Sequence, residues 1–147
     1  MSKFIYRMQS VLDVKQKLEE QAKMEFATAR ARLNEEEEKL RYLEGRKLSY
    51  EEQGRKLQES GLNVLDILEN RDVIARMKEF IDLQMVAIKQ AERQMEAARE
   101  KLQEAVQESK IHAKLREKAF EEFMQEENKR EAKEVDELTS YTYGQKK

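Results

Sequence analysis

Few side chains in this sequence have the type and spacing that chemistry requires, and His112 comes first because it is the only histidine. A metal site needs several ligands that converge on one point, and no residues near His112 have that spacing. Glu108 and Arg116, four residues to either side, account for it as a histidine on a helix surface. The four glutamates at 35–38 predict a solvated stretch rather than a cation site, because consecutive side chains point around a helix in different directions.

Other signatures of catalysis are missing from the sequence. It has no glycine-rich phosphate loop, no Ser–His–Asp set and no cysteine for a thiolate site or a disulfide. The net charge of −2 is spread over interleaved signs and gives no basic stripe for nucleic acid. No apolar run has the length of a signal peptide or a membrane span. We therefore expect a cytoplasmic protein that is not an enzyme and has no cofactor, metal or small-molecule substrate.

The elements that carry these side chains are predicted to be long helices. Ala, Glu, Lys, Leu and Arg make up more than half of the chain, proline is absent, and 41% of the residues are charged. Large apolar residues recur at every seventh position in the second half, with smaller ones three or four residues further along: Ile74, Ile81, Ile88, Met95 and Leu102, then Met77, Met85, Ala91, Ala98 and Ala105. This 3-4 spacing predicts a coiled coil.

A second stripe is predicted in the first half, on a helix spanning about 2–58. Its members are Phe4, Met8, Val11, Leu18, Ala22, Phe26, Ala29, Leu33, Leu40 and Leu43. The spacing between Leu18 and Ala29 departs from strict alternation and predicts a stutter, a place where the supercoil unwinds locally. Lys15 and Glu36 fall on stripe positions, where we expect them to weaken the contact.

The two helices are predicted to be joined by a turn or small helix at about 59–71. Gly61 can take the left-handed conformation that ends a helix, and Asn63 can cap a short apolar helix, with Asn70 or Asp72 capping the next one. The second long helix is then expected at 72–138, followed by a flexible tail at 139–147. The fold class predicted is all-α, a single domain over 1–147 built as an antiparallel coiled-coil hairpin. A parallel homodimer is the alternative.

Large apolar residues, most of them aromatic, concentrate in two places. Tyr42, Leu48, Tyr50 and Phe80 lie beside or off the stripes, and both partner docking and simple widening of the helix contact explain them. Phe4, Tyr6, Phe120 and Phe123 would meet in a hairpin, and we expect them to pack together near the termini. The apolar segment that follows Gly61 is interpreted as a plug at the hairpin end, with a partner-contacting tip as the other interpretation.

Both ends of the sequence resemble one family. The run Phe4-Ile5-Tyr6-Arg7-Met8-Gln9-Ser10-Val11-Leu12-Asp13 resembles the Phe-x-(Phe/Tyr)-Arg-(Leu/Met)-Gln-x-Val-Leu opening of the flagellar export protein FliJ. The run Glu131-Ala132-Lys133-Glu134-Val135-Asp136-Glu137-Leu138 is similar to the closing helix of that family. The length and the two-helix layout agree as well, so the resemblance covers nearly the whole chain.

The resemblance implies a soluble stalk protein of the flagellar type III export apparatus, similar in fold to the γ subunit of rotary ATPases. Its implied partners are the hexamer of the flagellar export ATPase, the cytoplasmic domain of the membrane export gate, and export chaperones. The implied location is the cytoplasmic face of the membrane at the flagellar base. The implied gate-docking residues are Leu43, Tyr50, Phe80, Gln84 and Ala87. A stalk of a virulence secretion system and a plain coiled-coil spacer are the alternatives.

Overall fold

Two long helices make up the computed structural model, which describes residues 2–61 and 63–145. Helix α1 spans Gln9–Ser60 and helix α2 spans Val64–Gln145. No strand occurs in the part of the chain that the structure describes. The predicted fold class, an all-α protein made of two long packed helices, is confirmed. The residues group into a central unit, Ala22–Leu102, and a terminal unit formed by residues up to Gln21 and from Gln103 onward.

The central unit is an antiparallel hairpin closed by a very short turn. Gly61 takes the left-handed conformation, with a φ of 64°, and ends α1 as predicted. The Asn63 side chain caps α2, because its Oδ1 accepts a hydrogen bond from the Leu65 amide at 3.2 Å. The turn lies within the expected range 59–71 but is shorter, since α1 ends at Ser60 and α2 already begins at Val64 where a separate small helix was the alternative. Leu62, assigned to that small helix, lies outside the described residues.

The α1 side of the helix contact follows an unbroken heptad pattern. Buried and half-buried residues alternate at spacings of three and four from Leu12 to Leu57, through Lys15 and Glu19. Leu12 is 3% exposed, whereas Leu18 is 46% exposed. The predicted stutter is therefore wrong: Glu19, and not Leu18, occupies the contact position that precedes Ala22. Long Lys and Glu side chains can occupy such positions because their aliphatic stems pack while their charged ends reach water.

The α2 side keeps the predicted heptads with one exchange. Met77 and Ala91 are buried, as expected for stripe residues. Met85, expected on the stripe, is 47% exposed, and the adjacent Gln84 takes the contact position. Further along α2, Ser109 is buried, so the contact continues where the apolar pattern fades.

In the terminal unit, α1 begins at Gln9 rather than at about residue 2. The preceding residues are not helical, and they bring the Phe4 ring against Phe120 and Phe123, at centroid distances of 5.2 and 5.4 Å. The Arg116 guanidinium lies 5.5 Å from the centre of the Phe4 ring. The predicted aromatic packing is confirmed for these three phenylalanines. Tyr6 is half-buried and lines a pocket with Phe4 and Phe123.

The C-terminal end of α2 extends further than the sequence suggested. The second helix was expected to end at 138 and to be followed by a flexible tail, but α2 continues to Gln145. Residues 131–145 are exposed on every face. Residues 146 and 147, the end of the predicted tail, lie outside the described residues.

Candidate partner-docking surface

The five residues that the resemblance implies for docking fall into two groups in the structure. Leu43, Tyr50 and Gln84 occupy contact positions between the helices and are half-buried. Phe80 is 51% exposed, and Ala87, seven residues further along α2, is half-buried on the same flank. Of the five, Phe80 alone is exposed, and Ala87 lies beside it outside the contact positions, so these two belong to the outer surface.

A neighbouring residue that the sequence reasoning missed enlarges this surface. Leu83 follows Phe80 by one helical turn, is 68% exposed, and precedes Ala87 by four residues. Because Leu83 lies outside the heptad stripe, its spacing to Phe80 and Ala87 was the only signal that identified it. On α1, Tyr42 is 65% exposed and Leu48 is 62% exposed, so neither widens the helix contact.

Helical periodicity places the exposed residues of the two helices along one flank. Arg32 of α1 and Gln94 of α2 line the same surface groove. Phe80 and Ala87 precede Gln94 by two and one heptads, and Lys39 and Arg46 follow Arg32 by one and two heptads. The Phe80 face, defined as Tyr42, Phe80, Leu83 and Ala87, is thus an apolar surface. Its border carries both signs of charge: the cations are Arg32, Lys39 and Arg46, and Glu35 and Glu38 line one groove with Tyr42 and Lys39.

A polar layer lies beneath this face. The Gln84 side-chain amide donates to the backbone carbonyl of Glu36 at 2.8 Å and also to the Glu36 carboxylate. The hydrogen bond from Gln84 lowers the pKa of Glu36, and the nearby Lys39 adds to that effect. Polar pairs in a helix contact fix the register of the two helices, because a shift would leave the groups unsatisfied. The predicted solvated run 35–38 is therefore only partly solvated.

This pair predicts a pH dependence of stability. A carboxyl group with a lowered pKa in the folded protein stabilises it above the unfolded pKa, and that contribution is lost as the pH falls through the folded pKa. We expect Gln84→Ala to raise the pKa of Glu36 towards its ordinary value in a carbon-13 NMR titration. We also expect the variant to lose less stability than the parent over that acidic interval. An unchanged Glu36 titration in Gln84→Ala would contradict the assignment.

Tyr50 is held at the helix contact by a clasp near the turn. The Asn70 side-chain amide donates to the Tyr50 carbonyl at 2.9 Å. Asn70 can approach α1 this closely because residue 54 is glycine, and a Cβ there would clash with the Asn70 Oδ1. The Tyr50 hydroxyl is bonded to Arg46 at 2.7 Å, and the Arg46 guanidinium lies 5.2 Å from the centre of the ring. Asn70 therefore joins the two helices instead of capping α2, and the other proposed cap, Asp72, is also wrong, because both residues lie inside α2, which begins at Val64.

The clasp predicts that the effect of Gly54→Ala on stability changes sign when Asn70 is also replaced. Gly54→Ala should destabilise the protein, by about 1–2 kcal/mol, because the added methyl group displaces Asn70. In an Asn70→Ala background the same substitution should stabilise by about 0.5–1 kcal/mol, because alanine is the better helix former and the obstacle is gone. Thermal unfolding followed by circular dichroism measures both effects. Equal effects of Gly54→Ala in the two backgrounds would show that the clasp is not formed.

His112, the first candidate in the sequence for a metal or catalytic role, lies in the contact between the helices. His112 is half-buried at a contact position, with its Nε2 3.8 Å from the carboxylate of Glu108. Among the described residues, no group of three or more His, Cys, Asp or Glu side chains is arranged to hold a metal ion. Within the same residues, no helix has the length and apolar character needed to cross a membrane.

Comparisons with known proteins agree with the two-helix architecture. The family model of the flagellar FliJ protein matches residues 3–147. Among solved structures, a candidate YscO homolog from Chlamydia trachomatis is similar, with a TM-score of 0.71, 21% sequence identity and 96% of each chain covered. At that identity the likeness shows a shared fold. The search of curated proteins gave no match.

Proposed function

The chain belongs to the FliJ family of flagellar proteins, and from that premise we propose that it is the central stalk of the flagellar type III export apparatus. In this role it promotes assembly and activity of the export ATPase hexamer, links that hexamer to the export gate, and escorts export chaperones. It works without catalytic chemistry of its own. The match of the family model over residues 3–147 is the observation that carries this proposal.

The two long helices support a mechanical role. α1 has 52 residues and α2 has 82, and neither contains proline, so the helical hydrogen bonding is not interrupted. Within each unit, heptad contacts stiffen the paired helices, and stiff helical pairs can transmit force between a ring and a second partner. The exposed polar flanks leave such an element soluble in the cytoplasm, where it would sit at the membrane face of the flagellar base.

The Phe80 face is the surface that we assign to the export gate. Leu43, Tyr50 and Gln84 contribute indirectly, because they are half-buried at the helix contact below it. An exposed apolar surface on a protein with so many charged residues is a common mark of a binding site.

Binding to isolated partners tests this proposal. The purified chain is mixed with the cognate export ATPase and, separately, with the cytoplasmic domain of the gate, and complexes are followed by analytical ultracentrifugation. We expect a complex in both mixtures. Absence of a complex in both would refute the stalk function. A stalk of a virulence secretion system would bind the corresponding virulence ATPase instead, and a plain spacer would bind neither and sediment as a dimer.

A further inference from the structure

The chain ahead of α1 crosses to α2 as a short non-helical segment, residues 2–8, which we call the N-terminal strap. The Phe4 ring of the strap meets Phe120 edge to face, with 5.2 Å between the ring centres, and lies 5.4 Å from the ring centre of Phe123. Edge-to-face and tilted aromatic pairs at these distances are favourable contacts. The strap is therefore anchored to α2 by one ring.

Side chains alone attach the strap to α2. Apart from the Phe4 ring, Arg130 donates a hydrogen bond to the Ser2 hydroxyl at 3.1 Å. Among the residues that the structure describes, no hydrogen bond links the strap's backbone to α2, because the Tyr6 and Met8 carbonyls accept from amides at the start of α1. Detaching the strap therefore breaks no backbone hydrogen bond to α2 and costs mainly the contacts of one aromatic ring and the partial burial of Tyr6.

Arg116 connects the strap to the first turn of α1. Its guanidinium lies 5.5 Å from the centre of the Phe4 ring, and its Nε donates a hydrogen bond to the Gln9 side chain at 2.8 Å. A cation beside an aromatic face gains more where water is excluded. Loss of the Phe4 ring would free Arg116 to turn into solvent and would weaken the Gln9 contact as well. The position of the strap and the pairing of the helix ends are therefore coupled.

The helix contact behind the strap has several polar side chains. After Leu12, the contact positions of α1 in the terminal unit are Lys15 and Glu19. The contact positions of α2 in this unit include Ser109 and His112. Partly exposed ion pairs and polar contacts stabilise a helix pair less than buried apolar side chains do. The terminal unit therefore depends more on the aromatic contacts of the strap than its length suggests.

The central unit has the opposite balance, apart from the layer of Gln84 and Glu36. Its buried and half-buried contact residues are mostly apolar: Phe26, Leu33 and Leu40 on α1, and Ile74, Met77, Ile81, Ile88, Ala91 and Met95 on α2. Local opening needs the least free energy where buried apolar contacts are few. The terminal unit should therefore open more readily than the central unit.

We propose that the N-terminal strap is a detachable latch that controls opening of the terminal unit. With the Phe4 ring seated on Phe120 and Phe123, the helix ends stay paired. When the ring leaves, residues 9–21 separate from α2 while the central hairpin stays closed. This conformational device does not depend on the proposed export function, and it would operate equally in a stalk and in a plain spacer of this sequence.

Hydrogen–deuterium exchange of the full-length chain, measured by mass spectrometry, tests the latch. In the parent, amides of residues 9–21 should exchange about tenfold faster, or more, than those of residues 26–50. Phe4→Ala should raise exchange at residues 9–21 by about a further tenfold and leave residues 26–50 unchanged. The matched control is Ile5→Ala, which removes a neighbouring side chain of the strap that is 80% exposed and should change neither region.

A cross-link separates latching from a general loss of stability. The chain has no cysteine, so Ser2→Cys with Arg130→Cys supplies two thiols that a short bismaleimide can join. In the Phe4→Ala background, the linked strap cannot leave α2, and exchange at residues 9–21 should return towards the parent rate. The same variant with its thiols capped separately should stay fast. The latch is overturned if Phe4→Ala raises exchange equally in both units, if it leaves residues 9–21 unchanged, or if the link restores no protection.

Discussion

Replacing Phe80 and Leu83 with alanine is expected to weaken binding to the cytoplasmic domain of the export gate by about 30-fold or more while leaving the fold intact. Truncation of a central apolar anchor in an interface typically costs 2 kcal/mol or more, and these two are the large apolar side chains that α2 contributes to the Phe80 face, at 51% and 68% exposed. Because neither is packed between the helices, the melting temperature should change little. Isothermal titration calorimetry and circular dichroism measure the two quantities.

The matched control for this variant is Leu48→Ala, which removes an equally exposed leucine from outside the Phe80 face. It should bind the gate domain as the parent does. Tyr50→Ala is a poorer probe than the exposed pair, because its ring is half-buried beside Arg46 and its carbonyl joins the Asn70 clasp. If Phe80→Ala with Leu83→Ala melts much earlier than the parent, or binds the gate domain normally, the Phe80 face is not the docking surface.

Alanine at Leu12 should destabilise the protein strongly, whereas alanine at Leu18 should be nearly neutral. Leu12 is 3% exposed at a contact position, and burying alanine in place of leucine usually costs about 2–5 kcal/mol, through lost transfer free energy and an unfilled cavity. Leu18 is 46% exposed, so its truncation should cost less than about 1 kcal/mol. Urea unfolding followed by circular dichroism gives both free energies of unfolding.

This pair of substitutions decides which heptad phase α1 follows. The apolar residues alone favour a stripe through Leu18 with a stutter, and the structure places Leu12, Lys15 and Glu19 at the contact positions. A larger loss of stability in Leu18→Ala than in Leu12→Ala would support the stripe through Leu18 with its stutter and would contradict the unbroken heptad pattern. Helix content should be nearly the same in both variants, because leucine and alanine are both good helix formers.

The architecture was predictable because a sequence without proline and with regular heptads in α2 is compatible with few folds other than paired helices. Gly61 was identifiable as the end of α1 because only a residue without a Cβ takes its conformation cheaply. The heptad phase of α1 was not predictable, since a pattern of apolar residues gives no weight to Lys15 and Glu19, which pack through the aliphatic parts of their side chains. The start of α2 was missed because Asn63, read as the cap of a small helix, caps the long one.

The docking surface was only partly predictable. Phe80 stood out because a large aromatic residue lay off the stripe, and the structure confirms that it is exposed. Gln84 was assigned to the surface, yet it pairs with Glu36 between the helices, an interaction between residues 48 positions apart that no local pattern contains.

The steady-state rate of ATP hydrolysis by the cognate flagellar export ATPase, measured as this chain is added, tests the central claim most directly. A stalk that promotes assembly and activity of the hexamer should raise the rate at limiting ATPase concentration and saturate near one chain per hexamer. Phe80→Ala with Leu83→Ala should raise it equally, because those residues are assigned to the gate. A rate that does not change at any concentration of the parent chain would contradict the proposed function.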